Sequence, residues 1–467
     1  MKQLSLLIAP WLIGCVSPSD KKPLNVIYIL TDDLGYGDVG CYGQSIIATP
    51  NIDKMAAQGM LFTQHYAGST VSAPSRCALL TGLHTGHTQI RGNREIQPEG
   101  QSSMAKGTFT LGHLFQQSGY ITGLFGKWGL GDPGSESVPN KMGFDEFYGY
   151  NCQRKAHTYF PEYVWHNNTK IFYPENADNG RTIYSADSIH HHALQFIRDN
   201  QTKPFFALLT YTLPHAEVNV PHDSLYLQWE NRFEETPWRQ EGSSSFPSEK
   251  PRASFASMIQ RLDQYVGEIV EELKRTGLDQ QTMIVFTSDN GPHREGGADP
   301  DFFTSYGPLR GTKRDMYEGG IRVPMIVWAP SIITGGSVSD HISAFWDVMP
   351  TFAELIGYSL PTVTDGISFL PTLTSKGKQE QHEYLYWEFH EMGGRIAIRK
   401  GDWKGIKLNY GINPQGPMEL YDLSVDIHEN NNLASQHPDI VRELETEMAR
   451  AHTHSELFNF GRQDSGQ

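Results

Sequence analysis

Asn25-Val-Ile-Tyr-Ile-Leu30 runs straight into Thr31-Asp32-Asp33-Leu34-Gly35. The first stretch is mostly apolar and β-branched, without polar alternation, and reads as a strand buried on both faces of a parallel sheet. The second sets two adjacent carboxylates and a glycine turn at that strand's carboxyl end. The same kind of run returns at Phe205 to Tyr211, Met283 to Phe286 and Pro324 to Trp328. Helical periodicity fills the intervals at Asn51 to Gln58, Thr110 to Ser118, Ser185 to Asp199 and Ala253 to Arg275. Strands alternating with helices predict a doubly wound α/β fold, a mixed sheet flanked by helices, with its active site outside the carboxyl ends of the strands. Past residue 375 the pattern changes. Glu383 to Phe389, Gly394 to Arg399, Trp403 to Leu408 and Glu419 to Leu423 read as short antiparallel strands, and Pro438 to His452 as one amphipathic helix. This predicts a catalytic domain over residues 24–375 and a small α+β domain over 376–467.

The chain has 467 residues, 38% of them hydrophobic, with 45 Gly and 27 Pro, which excludes a collagenous, coiled-coil or wholly disordered protein. Lys and Arg number 38 against 53 Asp and Glu, a net charge of −15 that repels polyanions and argues against nucleic-acid binding. An anion can be held only by a local concentration of cations. At the amino end, Lys2 precedes an apolar run from Leu4 to Ile13, shorter than the roughly 20 residues a bilayer span needs. Leu12-Ile13-Gly14-Cys15 resembles a bacterial lipoprotein signal, in which Cys15 is lipidated; the competing reading is an ordinary cleaved export signal. Residues 1–15 are thus expected to be a signal and residues 16–23 a polar tether. The expected location is exported, periplasmic or anchored to the outer membrane. Cys41, Cys77 and Cys152 are too few and too scattered for a disulfide framework or a zinc pattern.

Thr287-Ser288-Asp289-Asn290-Gly291 repeats the acidic strand end of Asp32 and Asp33. Together Asp32, Asp33, Asp289 and Asn290 make an all-oxygen set converging above the sheet. Hard oxygen donors without Cys or His favour calcium or magnesium, and the mixed carboxylate–amide set leans toward calcium. Ser72-Ala-Pro-Ser-Arg76-Cys-Ala-Leu-Leu-Thr-Gly82 reads as a helix start, with Pro74 in the first turn. Ser72 at such a terminus, with Arg76 one turn on, suits an anion site with a nucleophile aimed at it. Taken alone, it reads equally as a capped helix.

Ser72-x-Pro-Ser-Arg76 followed by Leu-Leu-Thr-Gly resembles the signature of the type I sulfatases, the formylglycine-dependent members of the alkaline phosphatase superfamily. The resemblance extends in the family's order through Asp32-Asp33, Gly126-Lys127-Trp128, Pro214-His215, Ser288-Asp289-Asn290-Gly291, Leu309-Arg310-Gly-Thr-Lys313 and Glu318-Gly319-Gly320. It implies that Asp32, Asp33, Asp289 and Asn290, together with position 72, hold one Ca2+. It implies further that Ser72 is oxidised by a formylglycine-generating maturase to an aldehyde that hydrates to a diol. One diol hydroxyl would attack sulfur, and the other would expel sulfate. Arg76 would support the formylglycine, Lys127 and Lys313 would hold sulfate oxygens, and His215 would face the leaving group as general acid.

Two departures stand out. Position 72 is Ser, where the family often has Cys, which implies a radical maturase that works without oxygen. The family's Lys-x-His segment reads Lys127-Trp128-Gly129, so the histidine that assists the diol is missing. His157, in Cys152-Gln-Arg154-Lys-Ala-His157, is expected to fill that gap; alternatively, Arg154 and His157 contact substrate. His293, Arg294 and Asp299 follow the second acidic strand end and are expected to bind sugar hydroxyls. The expected substrate is a sulfated oligosaccharide, of galactose or N-acetylgalactosamine type, from host or algal glycans. Two rivals stand beside this reading. One is a phosphodiesterase or phosphonate hydrolase of the same superfamily, using two transition metals. The other is a sulfoglycan-binding lipoprotein whose Ser72 is never converted.

Overall fold

The computed structural model describes residues 23–239 and 247–460. The signal expected over residues 1–15, with Cys15, and the tether through residue 22 lie outside the described residues. Among the described residues, no helix is long and apolar enough to cross a membrane.

Among the described residues, eleven strands form one mixed sheet. In chain order they are β1 (Asn25–Thr31), β2 (Met60–Tyr66), β3 (Ile121–Lys127), β4 (Glu146–Tyr150), β5 (Tyr163–His166), β6 (Thr169–Phe172), β7 (Phe205–Thr210), β8 (Thr282–Ser288), β9 (Arg322–Trp328), β10 (Ser337–Ser339) and β11 (Ser343–Ala344). Their spatial order is β10-β2-β9-β8-β1-β7-β3-β4-β5-β6, with β11 also beside β2. The centre, β8-β1-β7-β3-β4, is parallel. The sheet is mixed as expected: β9, whose apolar run resembles those of the parallel strands, runs antiparallel to both β8 and β2. An apolar run reports burial on both faces and carries no information about direction.

Alternate residues of β1 feed two cores, as the period of two requires. Ile27 and Ile29 pack with the helices Ser185–Asp199 and Pro251–Thr276. Val26, Tyr28 and Leu30 pack on the opposite face with the helices Ser72–Thr81, Leu111–Gln117 and Val348–Ile356. The second sheet is antiparallel, in the order β12 (Leu385–Phe389), β13 (Arg395–Lys400), β14 (Trp403–Leu408) and β15 (Glu419–Asp422), and is followed by the helix Pro438–Ala451. Its Trp387, Phe389, Ala397 and Ile406 pack against Tyr66, Val71 and Ala78. The second sheet therefore braces the helix that begins at Ser72.

A fully buried ion network joins the two sheets. Lys404 Nζ donates to Glu318 Oε1 at 2.8 Å and lies 2.9 Å from Glu429 Oε1, with all three side chains at zero exposure. Burial alone would raise the Glu318 carboxyl; the charges of Lys404 and Arg322 hold it at about 2. Removing one partner of such a network leaves uncompensated buried charge. Lys404→Met is therefore expected to lower unfolding free energy by about 3–5 kcal/mol, read from denaturant midpoints. An unchanged midpoint would remove the network from the stability of the fold.

Candidate active site

Four neighbouring parallel strands present their carboxyl ends to one place. Asp32 and Asp33 follow β1, Asp289 and Asn290 follow β8, Lys127 ends β3, and His215 follows β7 just beyond Pro214, which bridges to Asp32. Gly126 makes the approach of β3 possible: its φ is +126°, and a Cβ there would sit 2.0 Å from the Thr210 carbonyl oxygen. Ser72 enters from above the sheet as the first residue of its helix, after an extended Val71. The Ala73 N–H in that first turn donates to Asn93 Oδ1 at 3.0 Å.

Ser72 Oγ donates to Asp32 Oδ1 at 3.2 Å and accepts from Lys127 Nζ at 3.1 Å. Lys127 also pairs with the second Asp32 oxygen. Arg76 donates to Asp289 Oδ2 from Nε at 3.1 Å and from Nη2 at 2.9 Å, to Asp32 Oδ2 at 3.2 Å, and to the Lys127 carbonyl at 2.8 Å. Lys313 Nζ donates to Asp33 Oδ2 at 2.8 Å, His215 Nε2 at 3.1 Å and Glu295 Oε2 at 3.1 Å. An ammonium only donates, so His215 Nε2 is the acceptor there, and its Nδ1–H is held by the Ala216 carbonyl.

Burial pushes Lys127 below its usual range despite the Asp32 carboxylate. Burial would lower Lys313 too, but the Asp33, Glu295 and Asp32 carboxylates raise it. Burial and the charges of Lys313 and Lys127 hold His215 well below the usual imidazole range. Asp32 is held low by Lys127, His215, Arg76 and Lys313 against the effect of burial. Burial, then the charge of Asp32, pushes Asp289 up to about 6 even with Arg76 bound to it.

The donors present fit a hard divalent cation. Asp32, Asp33, Asp289 and Asn290 are all at zero exposure, and Asn290 Oδ1 is buried without a hydrogen-bond partner. An amide oxygen left so is costly unless something accepts its lone pairs. His215 also lies near Asp32 and Asp33, but its Nε2 lone pair already takes the Lys313 proton. The three buried carboxylates Asp32, Asp33 and Asp289 face the three cations Arg76, Lys127 and Lys313. A divalent cation would therefore leave the site positive, ready for an anion.

The structure thus brings Asp32, Asp33, Ser72, Arg76, Lys127, His215, Asp289, Asn290 and Lys313 into one connected network. His157 lies edge-on to His215, with ring centroids 4.4 Å apart. The space that a side chain at Gly129 would enter is taken by Gln153, whose Cγ and Nε2 lie 3.3 and 3.4 Å from the position of such a Cβ. His157 is therefore next to the His215 ring, and Gln153 faces Gly129. Three residues expected to contact sugar have partners within the protein. His293 has both ring nitrogens taken by backbone, Nε2 by the Pro214 carbonyl at 3.1 Å and Nδ1 by the Glu295 N–H at 3.2 Å. It stacks behind His215 at 5.6 Å as a support. Asp299 caps the short helix Pro300–Phe303 and accepts from Arg252 at 2.7 and 3.1 Å. Arg294 is exposed and forks onto Asp301 at 2.6 and 2.8 Å. Arg154 is also exposed, and meets Glu95 at 2.8 Å and the Pro98 carbonyl at 2.8 Å.

Two further groups lie close to the site. Glu295 joins Lys313 to Arg314, and Asn93 links the Ala73 amide to Gln153 Nε2, 3.0 Å away. Each is a single polar residue in a loop.

Comparison with known proteins decides the family. The sequence model of the Sulfatase family matches residues 24–358, and that of the N-sulphoglucosamine sulphohydrolase C-terminal region matches residues 311–454. The N-acetylgalactosamine-6-O-sulfatase of Bacteroides thetaiotaomicron is 32% identical over 504 residues, covering 91% of this chain and 92% of its own. This chain belongs to the sulfatase family. Human Arylsulfatase A is 30% identical over 475 residues, covering 91% of this sulfatase and 86% of its own chain. The crystal structure of Ps i-CgsB in complex with k-i-k-neocarrahexaose superposes with a TM-score of 0.76 at 30% identity, covering 91% of the sulfatase and 93% of that chain. The sulfatase is a hydrolase of the alkaline phosphatase superfamily, and its first matched segment carries the whole network from Asp32 to Lys313.

Proposed function

We propose that this sulfatase removes sulfate from galactose or N-acetylgalactosamine residues of a sulfated oligosaccharide, using a formylglycine made from Ser72 and one calcium ion. The observation that carries the reading is the placing of Ser72 Oγ, 3.1 Å from the Lys127 ammonium and 3.2 Å from a carboxylate of the oxygen-donor set. The names of the relatives support a saccharide: one is an N-acetylgalactosamine-6-O-sulfatase, and a structural neighbour holds a neocarrahexaose. The opening residues fit an exported lipoprotein, tethered to a membrane through Cys15 and matured by a formylglycine-generating enzyme.

The net reaction adds water to a sulfate monoester and yields the free hydroxyl and hydrogen sulfate. Lys127 and Lys313 would receive the sulfate oxygens as fixed point charges that need no reorganisation as negative charge shifts among them. Arg76 binds Asp32 and Asp289 in place and so keeps the helix start against the strand ends. The Ala216 carbonyl holds the Nδ1–H of His215, so Nε2 presents a lone pair, and a proton bound for the leaving oxygen would have to come from the Lys313 ammonium beside it. The hydrated aldehyde would supply two hydroxyls on one carbon, which gives the transferred sulfate an exit that an alkyl serine ester lacks. Asp32, Asp33, Asp289 and Asn290 would hold calcium, which supplies positive charge opposite the sulfate.

In a second cluster that could hold a metal, His84, His87 and Asp365, one histidine already has a backbone partner. His84 Nδ1 accepts the Gly86 N–H at 3.1 Å, so its Nε2 carries the proton in the neutral ring. Protein purified from its own host is expected to hold one calcium per chain by elemental analysis and to release sulfate from N-acetylgalactosamine 6-sulfate. Two zinc or manganese ions with phosphonate ester hydrolysis would replace this reading with the phosphodiesterase one. Saccharide binding without sulfate release, by a chain whose Ser72 is unaltered, would make the protein a sulfoglycan-binding lipoprotein.

A further inference from the structure

The short helix Gln153–Ala156 joins the site to a cationic patch at the edge of the large sheet. On the site side, Gln153 reaches the Asn93 oxygen that holds the Ala73 amide, and His157 packs on His215. Between them, Lys155 places its ammonium 4.2 Å from the centroid of the Tyr163 ring on β5. Lys170, from β6, comes 4.0 Å from the same centroid and 5.3 Å from that of Trp165. The aromatic pair is itself fixed. Glu99, only 8% exposed, accepts the Tyr163 hydroxyl at 2.6 Å and the Trp165 indole N–H at 2.7 Å. Its two oxygens are thus engaged by neutral donors, and Lys170 stands 4.0 Å away. Lys155 has no carboxylate partner among the described residues.

An ammonium over a ring face gains only a modest attraction at an exposed site. The gain matters less than its effect on order: two long side chains are held in place before any ligand arrives, which removes part of the entropy cost of binding. On a chain of net charge −15, two ordered and weakly compensated ammoniums stand out as a local anion site.

We propose that Lys155 and Lys170, clamped on Tyr163, form a second subsite for an anionic group, sulfate or carboxylate, on the sugar next to the one that loses its sulfate. The inference rests on the saccharide reading above and narrows its substrate class to oligosaccharides carrying a second negative charge. The test compares kcat/KM for the monosaccharide N-acetylgalactosamine 6-sulfate with that for a tetrasaccharide alternating it with glucuronate. A charge-assisted hydrogen bond at a partly exposed site suggests that the tetrasaccharide-to-monosaccharide ratio falls about tenfold in the Lys155→Ala/Lys170→Ala variant, through KM. Lys155→Arg/Lys170→Arg is expected to restore most of the ratio, and a shallower salt dependence should accompany its loss. The carboxyl-reduced tetrasaccharide separates the two sources: a ratio that has already fallen in the wild type assigns the subsite to carboxylate, and one that has not assigns it to sulfate. A ratio equal in wild type and alanine variant would overturn the subsite. Hydrolysis of a small aryl sulfate with no action on either saccharide would overturn the saccharide reading, and the subsite with it.

Discussion

Ser72→Ala is expected to abolish sulfate release, with a loss of about 10⁴-fold or more in kcat, as for removal of a nucleophile from a preorganised site. The fold gives no reason for the variant to unfold. Ser72 is the first residue of its helix, makes no side-chain capping bond and donates a single 3.2 Å hydrogen bond to Asp32, which keeps Arg76 and Lys127 as partners. Unfolding midpoints of variant and parent should therefore agree closely while activity disappears. A companion measurement bears on the modification itself. The peptide containing position 72 from active, host-purified protein is expected to be lighter than its serine form by about 2 Da, the two hydrogens lost when the hydroxymethyl becomes an aldehyde. Active protein with an unaltered serine peptide would sink the formylglycine chemistry. Retained turnover in Ser72→Ala would move the nucleophile elsewhere.

The strand ends behind this prediction were legible because they combine two signals: an apolar β-branched run and an abrupt pair of polar ligands. β1 and β8 have both, and the two ends meet, with the Asp33 N–H donating to Asp289 Oδ1 at 3.1 Å. β3 was missed for a physical reason. Its Ile121-Thr-Gly-Leu-Phe-Gly-Lys127 carries two glycines, which sequence rules read as turn, whereas here Gly126 lets β3 lie against β7 and Gly149 lets β4 lie against β3. A Cβ at Gly149 would meet the Gly126 carbonyl oxygen at 2.0 Å. β2 was missed because its polar Thr63 and Gln64 fall where its register with β9 shifts. His293 and Asp299, expected to contact sugar, show why such readings stop short: polar residues near a site also build its loops, and only coordinates show that backbone N–H and C=O groups or Arg252 hold them. Asn93 could not be singled out, since its role comes from partners in distant parts of the chain.

Lys127→Ala and Lys313→Ala are each expected to lower kcat/KM by about 10²–10³-fold, the range for losing one preorganised donor to a developing anion. The two should differ in kind. Lys127 touches Ser72 Oγ and Asp32, so its loss would act where the proposed diol attacks sulfur. Lys313 touches His215 Nε2, Asp33 and Glu295, so its loss acts also on proton delivery and leaves Glu295 with Arg314 as its remaining short ion pair. A fall in kcat larger than any rise in KM would place the lost interaction in the transition state, while a rise in KM alone would mean simple sulfate binding. Because both ammoniums would serve one sulfate group, the double variant should lose less than the product of the two single losses. Lys106→Ala supplies the comparison: its side chain is 83% exposed and pairs with Glu136 at 3.6 Å, so a change within about twofold is expected. The −15 chain makes this a sharp test, because a general field cannot attract a sulfate ester and only ammoniums and a cation at the strand ends can. Hydrolysis unimpaired in both variants would refute the cluster as the sulfate site.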